Sequence, residues 1–191
     1  MFVNHIRGGV HSFNDPGRRQ WQDPEAILTG IGLKPGMTFA DIGCGGGFFA
    51  LPAARMVGPK GKVYGVDTNP ASIDSIKKQA ELEKLANLYL TVGKAENIVP
   101  CNQCADFVFF GISLHDFQDP AKVLKNAGHI IKPGGRLIDL DWKKEEIPIG
   151  PPSHIKFDEG KAAGLIEDAG FIIKSVANSG LYHYLITAKL E

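Results

Sequence analysis

The chain has 191 residues, which is enough for one domain with a substantial core. Its 21 basic and 21 acidic side chains give a net charge of zero, which argues against a general binder of nucleic acids or membrane surfaces. No apolar stretch reaches the length of a membrane span, and three cysteines do not make a disulfide framework. The composition predicts a cytoplasmic protein with no nucleic-acid or membrane partner.

From Gly32 onward, strand-like and helix-like segments alternate, which is typical of a parallel sheet with crossover helices. The predicted strands are, in chain order, 37–41, 62–67, 88–92, 106–110, 136–141, 171–176 and 182–188. The predicted helices are 48–57, 70–86, 120–132 and 158–169. Only a short turn separates the last two strands, so we expect them to be antiparallel.

The turn after the first predicted strand is rich in glycine. The strand ends at Asp41, and glycines occupy four of the five positions 43–47 before an apolar helix. Such glycines are needed where a chain turns through positive φ and where the backbone lies against a ligand. A second acid, Asp67, ends the next strand about twenty residues later, a position that suits a ribose diol. The pattern predicts a site for a nucleoside-containing cofactor.

The residues around this turn favour one kind of cofactor over another. Phe48 stands where a dinucleotide fingerprint needs a small residue. The carboxylate of Asp41 would repel a pyrophosphate, but it suits a ligand that carries an ammonium and a sulfonium. The string D-x-G-x-G-x-G, with an acid after the second strand, resembles the class I S-adenosylmethionine-dependent methyltransferases.

This resemblance implies a Rossmann-like three-layer α/β sandwich. Its sheet would have seven mostly parallel strands in the order 3-2-1-4-5-7-6, with an antiparallel C-terminal hairpin. The resemblance covers residues 30–191, which we interpret as the core of a single domain, with residues 1–29 as an N-terminal cap or lid. The segments Lys132–Leu137 and Ala95-Glu96 are further features frequent in the family.

The implied activity is transfer of a methyl group from S-adenosylmethionine to a small-molecule acceptor, with S-adenosylhomocysteine as product. The alternative is a Rossmann-like protein that binds S-adenosylmethionine or NAD without methyl transfer. The residues expected to bind the cofactor are Asp41, Gly43, Cys44, Gly45, Gly47, Asp67, Thr68, Ala95, Glu96 and Ser113. Among them, Asp67 is assigned to the ribose and Asp41 to the methionyl ammonium.

The acceptor side is predicted from loops that follow the fourth and fifth strands. His115 is either a general base or a structural histidine, and we favour the structural interpretation. His154, in the segment 142–157, is a second candidate on the acceptor side, and this segment is either a lid or a plain surface loop. Arg18 and Arg19 are expected to close over the site.

Three remaining side chains are given structural roles. His183 is interpreted as a structural or pocket-rim residue of the final hairpin. Cys101 and Cys104 form a lone C-x-x-C, and because zinc needs four ligands we expect two free thiols and no metal site.

Overall fold

The computed structural model describes residues 16–19, 21–147 and 149–191, in which strands and helices alternate along the chain. The elements are α1 (Pro16–Arg19), α2 (Pro24–Gly30), β1 (Thr38–Ile42), α3 (Ala50–Val57), β2 (Lys62–Asp67), α4 (Pro70–Leu82), β3 (Leu88–Val92), β4 (Ala105–Gly111), α5 (Pro120–Ile130), β5 (Ile131–Trp142), α6 (Glu159–Asp168), β6 (Phe171–Ser179) and β7 (His183–Leu190). Two short 3₁₀ turns, Ala95–Asn97 and Leu114–Asp116, follow β3 and β4. Within these described ranges, no helix has the length and apolar character needed to cross a bilayer.

The seven strands form one sheet in the order β3-β2-β1-β4-β5-β7-β6, which confirms the predicted topology. Strands β1 to β5 run parallel, and β7 inserts antiparallel between β5 and β6. The chain reverses its direction of travel across the sheet between β1 and β4. Ligands of open α/β sheets bind at such a switch point, outside the carboxyl ends of the strands.

Both faces of the sheet are covered, which gives three layers. On one face, Phe39, Phe107 and Phe109 are buried beneath α2, α3 and α4. On the other face, Val108 and Phe110 are buried beneath α5 and α6. Because successive side chains of a strand point to opposite faces, a strand buried on both sides is apolar at consecutive positions, as β4 is from Phe107 to Phe110. Asp106, near the start of β4, pairs with Lys132.

Several boundaries differ from those predicted, for local reasons. Helix α3 begins at Ala50 and not at Phe48, and Pro52 has no N–H to donate to the carbonyl of Phe48. Helix α4 ends at Leu82, because the chain leaves the helix through Lys84 at φ +57°. The final hairpin is longer than predicted, with pairing from Phe171 with Leu190 to Ser179 with His183.

The prediction of two free thiols is wrong. Cys101 and Cys104 are joined as a disulfide in the loop that precedes β4, with their Cα atoms 6.0 Å apart. A separation of this size lies within the range that disulfides span. The C-x-x-C spacing alone did not show that the loop brings the two residues together.

Candidate functional site

A cavity of about 430 Å³ lies at the switch point of the sheet. Its walls come from the segments that follow the carboxyl ends of β1, β2, β3 and β4. The lining residues are Gly43, Val66, Asp67, Thr68, Gly93, Lys94, Ala95, Glu96, Ser113, Asp116, Phe117 and Gln118. The cavity therefore occupies the position where open α/β sheets hold their ligands.

Asp67 is fixed in the cavity wall by two backbone hydrogen bonds. The N–H of Gly45 donates to its Oδ2 over 2.8 Å, and the N–H of Asn69 donates to its Oδ1 over 2.8 Å. Each carboxylate oxygen can accept a further hydrogen bond, because it has two lone pairs. The carboxylate thus ties the glycine turn to the end of β2 while retaining the capacity to accept two hydroxyl donors.

Asp41 is a buried carboxyl group that lacks a full set of partners. Its side chain is 1% exposed, and its Oδ2 has no hydrogen-bond partner among the described residues. Burial and the charge of Asp67 raise the pKa of Asp41 to about 7, although the charge of Arg18 and the backbone N–H of Ala50 oppose that rise. A buried carboxyl in this condition fits a cationic group, since an ammonium would both supply the missing donor and favour the ionised form. The site therefore fits the methionyl ammonium of S-adenosylmethionine.

The glycines of the turn are needed for different reasons. Gly43 has φ +81°, and a Cβ there would lie 2.6 Å from the Cβ of Ser113. Gly45 has φ +50°, and a Cβ there would meet no atom within 4 Å, so the space beside it is open. Gly47 serves the core instead, because a Cβ there would lie 2.9 Å from Ile76. Only the first two of these glycines bear on the cavity.

Cys44 has no exposed reactive thiol. Its side chain is buried, and burial together with the charges of Asp41 and Asp67 raises its pKa well above the usual range. The thiolate is therefore disfavoured, which agrees with a packing role.

The segment after β4 is held rigidly against the end of β1. The hydroxyl of Ser113 donates to the carbonyl of Ile42 over 2.7 Å. Ile112 has φ +61°, which is rare for a β-branched residue, and its N–H donates to the carbonyl of Leu140 over 2.7 Å. These bonds fix the wall of the cavity that Ser113 and Phe117 provide.

His115 lies just behind this wall, in contact with two acids. Its side chain is 3% exposed, and its Nδ1 lies 2.8 Å from each carboxylate oxygen of Asp141 at the end of β5. Its Nε2 lies 3.4 Å from Oδ1 of Asp116, whose side chain is 67% exposed and lines the cavity. Burial acts to lower the pKa of His115, but the hydrogen bond and charge of Asp141, with the charge of Asp116, raise it overall.

The sequence interpretation missed Asp141 and its neighbour Asp139. Both acids are almost completely buried, at 1% and 0% exposure, and both side chains leave the same face of β5. Burial and the charge of Asp141 raise the pKa of Asp139 well above its usual range. Acids at alternate positions of an otherwise apolar strand, Leu137–Trp142, were the available signal.

The predicted acceptor-side residues are placed differently from one another. The guanidinium of Arg18 lies 3.8 Å from the ring centroid of Phe48, the residue that follows the glycine turn, and its Nε donates to Gln22 over 2.8 Å. Arg19 pairs with Glu25 of α2 over 2.9 Å. His154 is exposed and is not among the described residues that line the cavity. Residues 1–15 and 20 of the expected cap lie outside the described residues.

His183 belongs to an aromatic cluster at the start of β7. Its ring stacks on Trp21 at 5.5 Å and lies 4.3 Å from the ring of Trp142. Burial, with the charges of Arg18, Lys143 and Lys156, lowers the pKa of His183 to about 3. The imidazole is therefore neutral and packs as an aromatic side chain.

Of the predicted cofactor residues, those that line the cavity are Gly43, Asp67, Thr68, Ala95, Glu96 and Ser113. Gly45 supports its wall through the hydrogen bond to Asp67, and Asp41 is buried and is not among the lining residues, whereas Cys44 and Gly47 pack in the core. The 3₁₀ turn that carries Ala95 and Glu96 is tied to α5, where the side-chain amide of Asn126 donates to the carbonyl of Ala95 over 2.9 Å.

Comparisons with known proteins agree with this geometry. A family model described as a methyltransferase domain matches residues 33–179. A demethylmenaquinone methyltransferase from Halalkalibacterium halodurans is 29% identical over 119 residues, which are 62% of this chain and 49% of that protein. The chain thus spans about half the length of the curated relatives it matches.

Two solved structures show the same architecture. A SAM-dependent methyltransferase from Aquifex aeolicus has a TM-score of 0.86 and 33% identity, over 92% of this chain and 93% of that chain. The cyclase SpnF has a TM-score of 0.76 and 16% identity, over 97% of this chain and 85% of that chain, and shares the fold. From the family match over residues 33–179 and the Aquifex structure, this chain belongs to the class I S-adenosylmethionine-dependent methyltransferases.

Proposed function

We propose that this chain transfers a methyl group from S-adenosylmethionine to a small-molecule acceptor. The observation that carries the proposal is the presence of two carboxyl groups near the switch point of the sheet, one in the cavity wall and one buried. Asp67 stands in its wall with oxygens able to accept from a diol, and Asp41 is buried beneath the glycine turn with an unpartnered oxygen. A pyrophosphate would meet repulsion from both groups, whereas a ligand with an ammonium and a ribose would satisfy both.

The chain's own residues would bind the cofactor and orient it. Asp41 would hold the ammonium, Asp67 the ribose hydroxyls, and the turn around Ala95 and Glu96 would flank the adenine. The cofactor supplies an already activated methyl group on its sulfonium. What remains for the protein is to align the acceptor with that methyl and to exclude water, which the fixed segment around Ser113 is suited to do.

The acceptor class rests on the size of the site and on the relatives. The cavity of about 430 Å³ has to hold the cofactor as well as any acceptor group. The demethylmenaquinone methyltransferase is named for a small molecule, and we extend that class, not that compound, to this chain. The absence of a nucleic-acid partner stays a prediction from the balanced charge, and a cytoplasmic location stays a prediction from the cysteine content.

Binding of the cofactor without methyl transfer is the second candidate, because the fold is shared with SpnF, which is named as a cyclase and not as a methyltransferase. Thermal unfolding with S-adenosylhomocysteine, S-adenosylmethionine or NAD separates the cofactor classes. A ligand present at 100 times its Kd should stabilise the protein by about 2.7 kcal/mol. We expect stabilisation by the two adenosyl compounds and not by NAD.

Transfer itself is tested with S-adenosylmethionine labelled on its methyl group and a panel of small metabolites. Label in an extracted product supports the proposal. Cofactor binding without label in any product would favour the binding protein, and stabilisation by NAD alone would refute the proposed cofactor.

A further inference from the structure

A row of polar side chains runs from the centre of β5 to the cavity. It begins at Asp139, whose two carboxyl oxygens have no hydrogen-bond partner among the described residues. Asp141 follows on the same face of the strand, then His115 at 2.8 Å, then Asp116 at 3.4 Å from the imidazole. The exposed fraction of the side chain rises from 3% at His115 to 67% at Asp116. The row therefore connects the interior of the sheet to the space where an acceptor would lie.

Fold stability alone does not account for this row. Burying an acid and an imidazole has a desolvation cost that an ion pair in the interior often fails to recover. The neighbouring positions Leu137, Ile138 and Leu140 are fully buried and apolar, so the strand does not require acids for packing. The segment that carries His115 is also fixed by the backbone bond from Ile112 to Leu140, despite the unfavourable φ of Ile112. Such an arrangement is expected where a side chain must be held for function.

We propose that Asp116, His115 and Asp141 form a proton relay that removes the proton of a phenol- or enol-type hydroxyl group as that oxygen accepts the methyl. This inference rests on the proposed methyl transfer. Asp116 is the catalytic residue, since it lines the cavity and would contact the acceptor. His115 holds the proton, and Asp141 is a positioning residue that fixes the imidazole with its Nδ1–H donated and its Nε2 directed to Asp116.

The chemistry balances without another reactant. The acceptor oxygen forms a bond to the methyl carbon, and the bond from that carbon to sulfur breaks, leaving its electron pair on sulfur as a thioether. The hydroxyl proton passes to the carboxylate of Asp116 and then to Nε2 of His115. The resulting imidazolium lies between two carboxylates, which stabilise its charge. The proton leaves to solvent through the exposed Asp116 after the product departs.

The presence of a relay favours an oxygen over a nitrogen as the acceptor atom, because these two nucleophiles differ in whether they must lose a proton before they attack. An amine attacks through its free lone pair and needs no base before the transfer. A phenolic hydroxyl has an ordinary pKa of about 10 and is a weak nucleophile until its proton is removed. An imidazole is well matched to that removal near neutral pH.

The charged groups around His115 set the expected pH dependence. They are Asp141 from β5, Asp116 from its own 3₁₀ turn, and Lys156 from the segment after β5, whose charge acts in the opposite direction to the two acids. The base must be neutral to work, so the rate should fall as the pH drops through the pKa of His115. Replacing Asp141 by asparagine removes an acid that raises this pKa, so the acid limb of the rate profile should move to lower pH.

The test uses the full chain with S-adenosylmethionine and two probes of the same shape, 4-methylphenol and 4-methylaniline. Variants Asp141→Asn and His115→Gln are compared with Asp74→Asn, which alters an exposed acid of α4 paired with Lys77. We expect methylation of the phenol in preference to the aniline, and a kcat about 10²- to 10⁴-fold lower for His115→Gln. Asp141→Asn should lower kcat and move the acid limb down by about 1 to 3 pH units, with unchanged affinity for S-adenosylhomocysteine.

Other results would overturn the relay. The first is methylation of the aniline alone or of neither probe. The second is that both relay variants, His115→Gln and Asp141→Asn, react at the rate of Asp74→Asn. The third is that these variants lose S-adenosylhomocysteine binding together with activity, which would show a structural role. If the wild-type protein binds S-adenosylhomocysteine and any of these results is obtained, the relay is refuted, but the proposed methyl transfer is not. Absence of S-adenosylhomocysteine binding by the wild-type protein would overturn the proposed function, and the relay with it.

Discussion

Binding of S-adenosylhomocysteine should release a proton from Asp41, in an amount that depends on pH. The pKa of Asp41 is raised to about 7, so about half of the free protein carries a neutral carboxyl at that pH. An ammonium placed against Asp41 favours the carboxylate, so ligand binding should expel the proton. With a pKa of about 7, the release should be about 0.9 proton at pH 6, about 0.5 at pH 7 and about 0.1 at pH 8.

Calorimetric titrations in buffers of low and high ionisation enthalpy measure this number directly. Asp41→Asn is the matched control, because it preserves the shape of the side chain but cannot release a proton. It should bind the ligand more weakly and show no pH-dependent release from this position. Arg18→Gln removes a charge that lowers the pKa of Asp41, so it should move the midpoint of the release upward. Equal proton release by the wild type and Asp41→Asn between pH 6 and 8 would refute the assignment of Asp41 to the ammonium.

Further substitutions at four positions test the site and the fold. Asp67→Ala should weaken S-adenosylhomocysteine binding by about 1.5–3 kcal/mol in calorimetry, and unchanged affinity would contradict its ribose role. Gly45→Val should abolish that binding, and because φ is +50° there it should also lower the melting temperature. Gly43→Ala adds a clash with Ser113 to its φ of +81°, so it should lower the melting temperature more than Gly45→Ala does; equal losses for the two alanine variants would argue against this division. The depressed pKa of His183, about 3, implies a stability contribution present above about pH 6.5 and lost as the pH falls toward 3. Urea unfolding of His183→Phe at pH 7 and pH 4 should therefore show a smaller acid-induced loss than the wild type, and an equal loss would show that other groups dominate.

The sequence was sufficient for features whose cause is local. The glycine turn and the acid at the tip of β2 are close in sequence and have few alternative explanations, and Gly43 and Asp67, which were predicted to bind the cofactor, both line the cavity. The sheet order was implied by the family resemblance, whereas the antiparallel final hairpin followed from the short turn between the last two strands. The observed start of α3 at Ala50 lies two residues after the predicted one, since Pro52 has no N–H to donate to the carbonyl of Phe48.

Features that depend on contacts distant in sequence could not be predicted in the same way. Asp141 lies 26 residues from His115, and nothing in the chain order pairs them. Gly47 looked like a ligand-contacting glycine, but its reason is the side chain of Ile76 on the next helix. In each case the deciding neighbour comes from another element, so its identity depends on the packing of the whole sheet.

The left-handed conformation of Ile112 has a consequence for how the empty site behaves. A residue in a sparsely populated region of φ/ψ space costs of the order of 1–3 kcal/mol, and it persists only when its surroundings over-determine it. The adjacent wall of the cavity should therefore hold one shape in the absence of ligand, with little ordering entropy left to lose on binding. Such a protein is less stable than one without the strained residue, but its binding surface is already formed before the ligand binds. Selectivity among acceptors then depends on how well each fits this surface and not on a loop that adapts to each of them.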